Sequence, residues 1–246
     1  RQRQMCIRDR STHFGHSIAV NVGIIADHIA SNIILNSDFD LGLVKRALNQ
    51  LNMQIITTGH GQIHDVLNEV RRELTQEDII NVLYWKTGIY TYNNPIQVGA
   101  ILAGADDAQL KMLAEYAIPG GVAFQIQDDI LGTFGNESVT GKSNDGDIIE
   151  GKQTLLTFYA NQNGNAEQRE ILSKVVGKPD ATESEVDEVR KIFLETGALE
   201  LTKKKALSLV KDAKSALLKH KDVAGWHQDG VDYLEGIADY MIEREF

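Results

Sequence analysis

The chain has 246 residues, 42% hydrophobic side chains and a formal net charge of −10, so it can bury a substantial core in one domain. The acidic charge argues against a general nucleic-acid surface, because such surfaces bind phosphates mainly through Lys and Arg. The single cysteine, Cys6, excludes an internal disulfide, and we find no apolar run of about 18 residues. We therefore expect a cytoplasmic protein without stable membrane insertion.

The first ten residues, RQRQMCIRDR, lack the apolar period of the sequence that follows and contain four arginines. We predict that residues 1–10 are a non-native leader, with a solvated basic tail as the alternative. Residues 11–246 are assigned to one helical domain.

From His13 onward, apolar residues recur at helical spacing, and strand-like alternation is nearly absent. Two early stripes consist of Ile18, Val22, Ile25, Ile29 and Ile33, and of Leu41, Val44, Leu48 and Leu51. Further helical patterns cover residues 53–70, 76–90, 95–103, 107–133, 152–161, 166–176, 182–195, 197–219 and 227–245. Positions suited to helix caps are held by Asp38, Thr75, Asp106 and Thr182. The sequence predicts an all-α, single-domain antiparallel helical bundle.

Two groups of side chains have a functional and a structural interpretation, and we favour the structural one. His60 and His64 have a spacing that can bind zinc from one helical face, but no third ligand completes the set. A late basic cluster lies on an Ala and Leu pattern typical of a solvated amphipathic helix. Its members are Lys203, Lys204, Lys205, Lys211 and Lys214.

The strongest candidate site is the sequence FQIQDDILG, in which Asp128 and Asp129 lie within an otherwise apolar helix. Charges in such surroundings are costly unless they are neutralised. Gln125 lies one helical turn from both aspartates, so the three side chains can face a shared cavity. Oxygen ligands of this kind suit Mg²⁺, which bridges carboxylates to substrate phosphates. The motif therefore predicts a diphosphate site, with an exposed aspartate pair as the alternative.

A long polar segment follows, because residues 135–151 replace the apolar stripe with Gly, Asn, Ser, Asp and Lys. Loops of this length usually have a function. Lys142 and Lys152 are suited to contact phosphate as point charges, although an ordinary surface loop is the alternative. Upstream, Lys86 and Thr87 place a cation and a hydroxyl at adjacent positions of a predicted helix.

The order and spacing of these motifs resemble the isoprenyl diphosphate synthase family from His13 to Phe246. FQIQDDILG is similar to its second aspartate-rich motif, and GKSNDGDIIEGKQTLL to the loop that follows. KTG resembles the diphosphate-contacting Lys-Thr pair, and GQIHD the glutamine-containing helix. The resemblance implies a homodimeric prenyltransferase of the geranylgeranyl or farnesyl diphosphate synthase type. Such an enzyme condenses an allylic diphosphate with isopentenyl diphosphate to a C15–C20 product, using Mg²⁺ or, as a substitute, Mn²⁺.

The resemblance also implies roles for single residues. Asp128 and Asp129 would bind Mg²⁺. The residues implied to act on the allylic diphosphate are Lys86, Thr87, Gln125, Lys142 and Lys152. Gln62 would line the allylic side, Phe124 would flank the prenyl chain, and Asp147 would support the loop and the metal waters.

The sequence departs from the family pattern because it contains neither the first aspartate-rich motif, DDxxD, nor a credible arginine pair after it. Gly132 stands where many relatives have a third Asp, and Ser143 and Asp145 replace the usual Pro and Gly of the loop. We predict that the chain lacks the N-terminal helices of the fold and has little activity alone. The alternatives are a non-catalytic subunit of a heteromeric prenyltransferase and a class I terpene cyclase, whose second metal motif FQIQDD does not match.

Overall fold

The protein is described by a computed structural model that covers the backbone of residues 2–71, 74–136, 143–220, 222 and 225–244. Within these ranges, side chains are described from His13 onward except at positions 69 and 70. The described residues form helices joined by turns and short connections, and they contain no strand. The prediction of an all-α fold is confirmed.

The helices are bounded as follows in chain order. They are α1 (Gln2–Leu35), α2 (Leu41–Val70), α3 (Gln76–Leu83), a π-helix (Tyr84–Asn93), α4 (Asn94–Leu102), α5 (Asp107–Phe134), α6 (Gly146–Glu150), α7 (Leu155–Asn163), α8 (Ala166–Val175), α9 (Glu183–Glu195), α10 (Ala198–Lys219) and α11 (Gln228–Glu243). Helix α1 continues without a break through residue 10, and the non-native origin of residues 1–10 stays a prediction.

Side-chain caps fix where several of these helices begin. Thr75, Asp106 and Thr182 each form a reciprocal capping box with the third helical residue, as predicted. The prediction for Asp38 is wrong, because α2 begins at Leu41 and Asp40 accepts a hydrogen bond from the Gly42 amide at 2.8 Å. Each such cap contributes about 1 kcal/mol to helix stability.

Helix α5 lies at the centre of the bundle and contributes to both hydrophobic clusters of the core. In one cluster its Ile126 packs with Leu155, Leu156 and Phe193 from α7 and α9. In the other, Tyr116 of α5 packs with residues of α10 and α11. Because one face of α5 is buried in the core, a charge on that face is surrounded by protein, and Asp129 lies there.

The π-helix is held by direct backbone contact with two neighbours. A Cβ atom added at Gly121 of α5 would lie 2.6 Å from the Cα of Gly88, and one added at Gly61 of α2 would lie 2.6 Å from the Cβ of Trp85. Only glycine permits such an approach. The sequence pattern predicted a single helix over 76–90, and the widened turns follow from these contacts. π-Helical turns are frequent at functional sites, and this ten-residue π-helix carries Lys86.

We expect Gly121→Ala to lower the free energy of unfolding by about 1–3 kcal/mol, since the added methyl group has no space beside the Gly88 backbone. Gly88→Ala is the matched control, because its Cβ would meet no atom closer than 3.6 Å. Chemical denaturation followed by helical circular dichroism measures both variants. Equal stability of the two would contradict the close contact between α5 and the π-helix.

Helix α1 presents its apolar stripe to solvent instead of to the core. The stripe residues are all about half exposed or more, namely Ile18, Val22, Ile25, Ile29 and Ile33. By length and composition alone, His13–Leu35 is sufficient to cross a membrane. The expectation that the sequence contains no apolar stretch of that length is therefore wrong, although core helices and signal sequences also have this length and composition. Absence of stable membrane insertion stays a prediction.

Candidate diphosphate and metal site

A cleft lies between α2, α3, the π-helix, α5 and the segment before α7. Its lining consists of Asp65, Asn68, Ile79, Val82, Leu83, Lys86, Gln125, Asp129, Lys152, Gln153 and Thr154. Four residues selected from the sequence are thus brought together, although they are up to 66 positions apart along the chain. They are Lys86, Gln125, Asp129 and Lys152. A second, mostly apolar cavity near Trp226 has no Lys or Arg in its lining and is unsuited to a diphosphate.

A chain of hydrogen bonds fixes the Asp129 carboxylate within the cleft. The Thr87 hydroxyl donates to Gln125 Oε1 at 2.7 Å, and Gln125 Nε2 donates to Asp129 Oδ1 at 2.9 Å. Gln125 and Asp129 are one turn apart on α5, whereas Thr87 comes from the π-helix. Thr87 and Asp129 are both buried, so the three side chains form a fixed polar unit between two helices.

The surroundings of Asp129 disfavour its charged form. Burial raises the pKa of Asp129 to about 7, and the charges of Asp147 and Asp128 act in the same direction. The hydrogen bond from Gln125 and the charge of Lys152 lower this pKa, but they only partly offset burial. A divalent cation would favour the carboxylate form, because it supplies the positive charge that the cleft lacks at this point.

Both cleft lysines are paired with carboxylates. Lys86 forms an ion pair with Asp65, and Lys152 forms one with Asp147. Burial disfavours the charged form of Lys152, but the hydrogen bond and charge of Asp147, together with the charges of Glu150 and Asp129, outweigh burial and raise the pKa of the lysine. Lys152 therefore stays cationic. A diphosphate entering the cleft would exchange one anionic partner for another at each lysine.

Asp147 occupies the space beside Gly132, where the family resemblance leads one to expect a third Asp. A Cβ atom at position 132 would lie 2.6 Å from Asp147 Oδ2. The glycine thus admits the Asp147 carboxylate against α5, near enough to raise the pKa of Asp129. The family resemblance implied only a supporting role for Asp147, and this packing was not predicted.

Other predicted site residues lie outside the cleft lining. Asp128 is half exposed and contacts Arg244, because successive helical side chains diverge by about 100°. Gln62 is exposed on α2. The Phe124 ring lies 3.9 Å from the guanidinium carbon of Arg244. Lys142 lies outside the described residues.

The polar segment after α5 is anchored by Arg190, which the sequence reasoning missed. Its Nε donates to the Thr133 carbonyl at 2.8 Å, and its Nη2 donates to Asn144 Oδ1 at 2.6 Å and pairs with Asp145. The segment is also shorter than predicted, because α6 occupies residues 146–150. Arg190 thus ties the start of α6 to the end of the aspartate-bearing helix.

The donor set of the cleft fits Mg²⁺ better than zinc. His64 packs its ring against Trp85, with 5.1 Å between the centroids. Among the residues described, no three His, Cys, Asp or Glu side chains are placed to hold an ion by themselves. An ion at Asp129 would therefore take further ligands from water and diphosphate, which is the usual coordination of Mg²⁺ in enzymes.

An all-helical bundle whose central helix carries an aspartate pair beside a Lys-Thr pair has the features of an isoprenoid synthase. The chain belongs to the polyprenyl synthetase family, whose sequence profile matches residues 1–193. This confirms the resemblance that the motifs predicted.

Individual relatives agree with this assignment. Geranylfarnesyl diphosphate synthase from Aeropyrum pernix is 34% identical over 199 residues, which are 81% of this chain and 60% of that protein. Short chain isoprenyl diphosphate synthase from Methanothermobacter thermautotrophicus is 31% identical over 233 residues, 94% of this chain and 69% of that protein. The structure of geranylgeranyl pyrophosphate synthase from Corynebacterium glutamicum, complexed with isoprenyl diphosphate and magnesium, matches with a TM-score of 0.86 and 27% identity. The match covers 94% of this chain and 64% of the chain in that structure. The chain thus spans about 60% to 70% of the length of these relatives.

Proposed function

We propose that this chain forms the allylic-diphosphate side of a prenyltransferase that condenses an allylic prenyl diphosphate with isopentenyl diphosphate. The observation that carries the proposal is the buried Asp129, held by Thr87 and Gln125 in a cleft that also contains two lysines. The names of the relatives support the reaction class. A C15–C20 product stays a prediction.

The chain's own residues would act mainly on the leaving group. Lys86 and Lys152 would contact the allylic diphosphate after releasing Asp65 and Asp147. As the bond between the allylic carbon and the diphosphate oxygen breaks, negative charge grows on the diphosphate, and fixed cations stabilise that charge. The double bond of isopentenyl diphosphate attacks the allylic cation, and transfer of a proton to the departing diphosphate restores a double bond in the longer product.

Asp129 and Asp128 are the residues that would hold Mg²⁺, with Mn²⁺ as a possible substitute. A bound divalent ion supplies further neutralisation of the departing diphosphate. The fit rests on the cleft itself, since burial and neighbouring carboxylates leave Asp129 with an unfavourable charge that a cation would stabilise. Thr87 and Gln125 keep the carboxylate oriented for that contact.

A non-catalytic subunit and a terpene cyclase remain the alternative functions. The buried carboxylate argues against the first, because a subunit without metal chemistry gains nothing from an acidic group in surroundings that disfavour its charge. The pairing of Gln125 with Asp129 argues against the second, since it belongs to the FQIQDD motif that cyclases lack. A specific observation therefore favours the synthase.

Homodimer formation and a cytoplasmic location stay predictions. The dimer is supported by the exposed apolar side chains that α1 and α2 carry, because large exposed apolar patches mark interaction sites. On α2 these are Leu41, Met53, Ile55, Ile56, Ile63, Val66 and Leu67. A second copy of the chain would cover them.

We expect the 246-residue chain alone to form no prenyl product at an enzymatic rate, because its sequence contains no DDxxD motif to hold further metal ions. Incorporation of labelled isopentenyl diphosphate into extractable product measures this. A chimera that adds the upstream part of the Corynebacterium glutamicum synthase should gain turnover. Turnover of about 1 s⁻¹ or faster by the chain alone would contradict the expectation.

A further inference from the structure

The residue that follows α11 returns to the aspartate-bearing helix. Arg244 Nη2 donates to the Phe124 carbonyl at 3.2 Å and lies 3.3 Å from Asp128 Oδ1. Its guanidinium carbon lies 3.9 Å from the Phe124 ring centroid, and Gln127 Nε2 donates to the Arg244 carbonyl at 3.3 Å. The Arg244 side chain is only 10% exposed, so this residue is packed against α5.

The contact with Asp128 is suited to being displaced. Asp128 is 50% exposed, and ion pairs with so much solvent access contribute little to stability. Arg244 Nε is buried without a hydrogen-bond partner, so the guanidinium is not fully satisfied where it lies. Among the described residues, Arg244 is the cation paired with Asp128. A competing cation at Asp128 would therefore meet weak opposition.

We propose that Arg244 pairs with the Asp128 carboxylate in the metal-free protein and competes with the divalent cation for it. The inference rests on the proposed function, because it takes Asp128 as a metal ligand. Two cations on one carboxylate repel each other at short range. Loading the site therefore displaces the guanidinium and loosens the attachment of residues 241–244 to α5.

The sign of the effect separates competition from a purely structural role. If Arg244 only held α11 against α5, its removal would leave Asp128 less ordered and metal binding weaker. If Arg244 competes with the metal, its removal makes metal binding tighter. Few structural defects increase the affinity of a metal site.

The test is a Mn²⁺ titration of the chain in the presence of inorganic diphosphate, with free Mn²⁺ followed by electron paramagnetic resonance. We expect Arg244→Gln to tighten binding about two- to fivefold, or about 0.4–1 kcal/mol. Lys219→Gln is the matched control, since it removes the same charge from a lysine that contacts Glu115. Glu115 lies 13 residues before Asp128 on α5, or about 20 Å along the helix. The control should leave the affinity unchanged.

Unchanged or weaker Mn²⁺ binding by folded Arg244→Gln would overturn the proposal, as would equal tightening in the control. Asp128→Asn separates this result from failure of the site. If Asp128→Asn weakens binding but Arg244→Gln does not tighten it, only the competition is wrong. If Asp128→Asn has no effect, Asp128 is not a ligand and the competition fails with it, whereas the proposed function, which rests on Asp129, is tested by the Asp129 variants. Hydrogen exchange of the unaltered chain is a second measurement, in which amides of residues 241–244 should exchange faster after loading and slower exchange would overturn the proposal.

Discussion

Asp129→Ala lowers prenyl transfer by about a hundred- to ten-thousandfold in the protein extended to the full length of its relatives. The substitution removes the buried carboxylate that Thr87 and Gln125 orient, and with it the cation that would neutralise the departing diphosphate. The loss corresponds to roughly 3–5 kcal/mol of transition-state stabilisation. Asp128→Ala is expected to act in the same direction. Steady-state incorporation of labelled isopentenyl diphosphate measures both.

The control for this experiment is Asp212→Ala, which removes an exposed carboxylate from α10. Its rate should equal that of the unaltered enzyme. Helical circular dichroism must show that the Asp129 variant stays folded, which we expect because an uncharged side chain suits the apolar surroundings. A nearly normal rate for folded Asp129→Ala would remove this residue from the catalytic site.

Asp129→Asn raises the stability of the metal-free chain relative to the unaltered one, and the gain grows with pH. The pKa of Asp129 is about 7 in the folded chain, against an ordinary value of 3.8. In the unaltered chain, Asp129 therefore makes its full contribution to the stability of the folded state below pH 3.8. That contribution is lost as the pH rises to about 7, whereas Asn does not titrate. At about 1.4 kcal/mol for each pH unit, the gain at pH 8 reaches at most about 4 kcal/mol.

Urea denaturation at several pH values between 4 and 8 measures this difference, and comparing the two chains at each pH cancels the titration of groups they share. Mg²⁺ with inorganic diphosphate should reverse the order at pH 8, because the ligand stabilises the chain that keeps the carboxylate. A difference between the chains that is constant over this pH range would contradict the electrostatics described for Asp129.

Much of the fold follows from local sequence signals. Helical periodicity predicted the principal helices, and Thr75, Asp106 and Thr182 marked three of their starts because capping depends on neighbouring residues. The π-helix was not predictable, since its distortion depends on the approach of Gly61 and Gly121 from other helices. Exposure of the α1 stripe was also hidden, because periodicity shows that a face is apolar but not what covers it.

In the candidate site, too, local contacts were predictable and contacts between distant parts of the chain were not. Gln125 and Asp129 were predictable as partners because they lie one turn apart on a helix. Arg190 and Arg244 were not, since the contacts that join each of them to the aspartate-bearing helix or to the segment after it span 45 or more residues, and neither belongs to a recognisable motif. The contact of Asp128 with Arg244 was likewise not predictable, since only the folded chain places Arg244 beside it.

The most direct test of a magnesium and diphosphate site at Asp129 is a crystal structure of the chain grown with Mn²⁺ and inorganic diphosphate. We predict an anomalous scattering peak about 2.1 Å from a carboxylate oxygen of Asp129 or Asp128. The diphosphate should lie in contact with Lys86 and Lys152, which would have left Asp65 and Asp147. A cleft that still holds both lysine ion pairs, with the manganese bound elsewhere, would contradict the account.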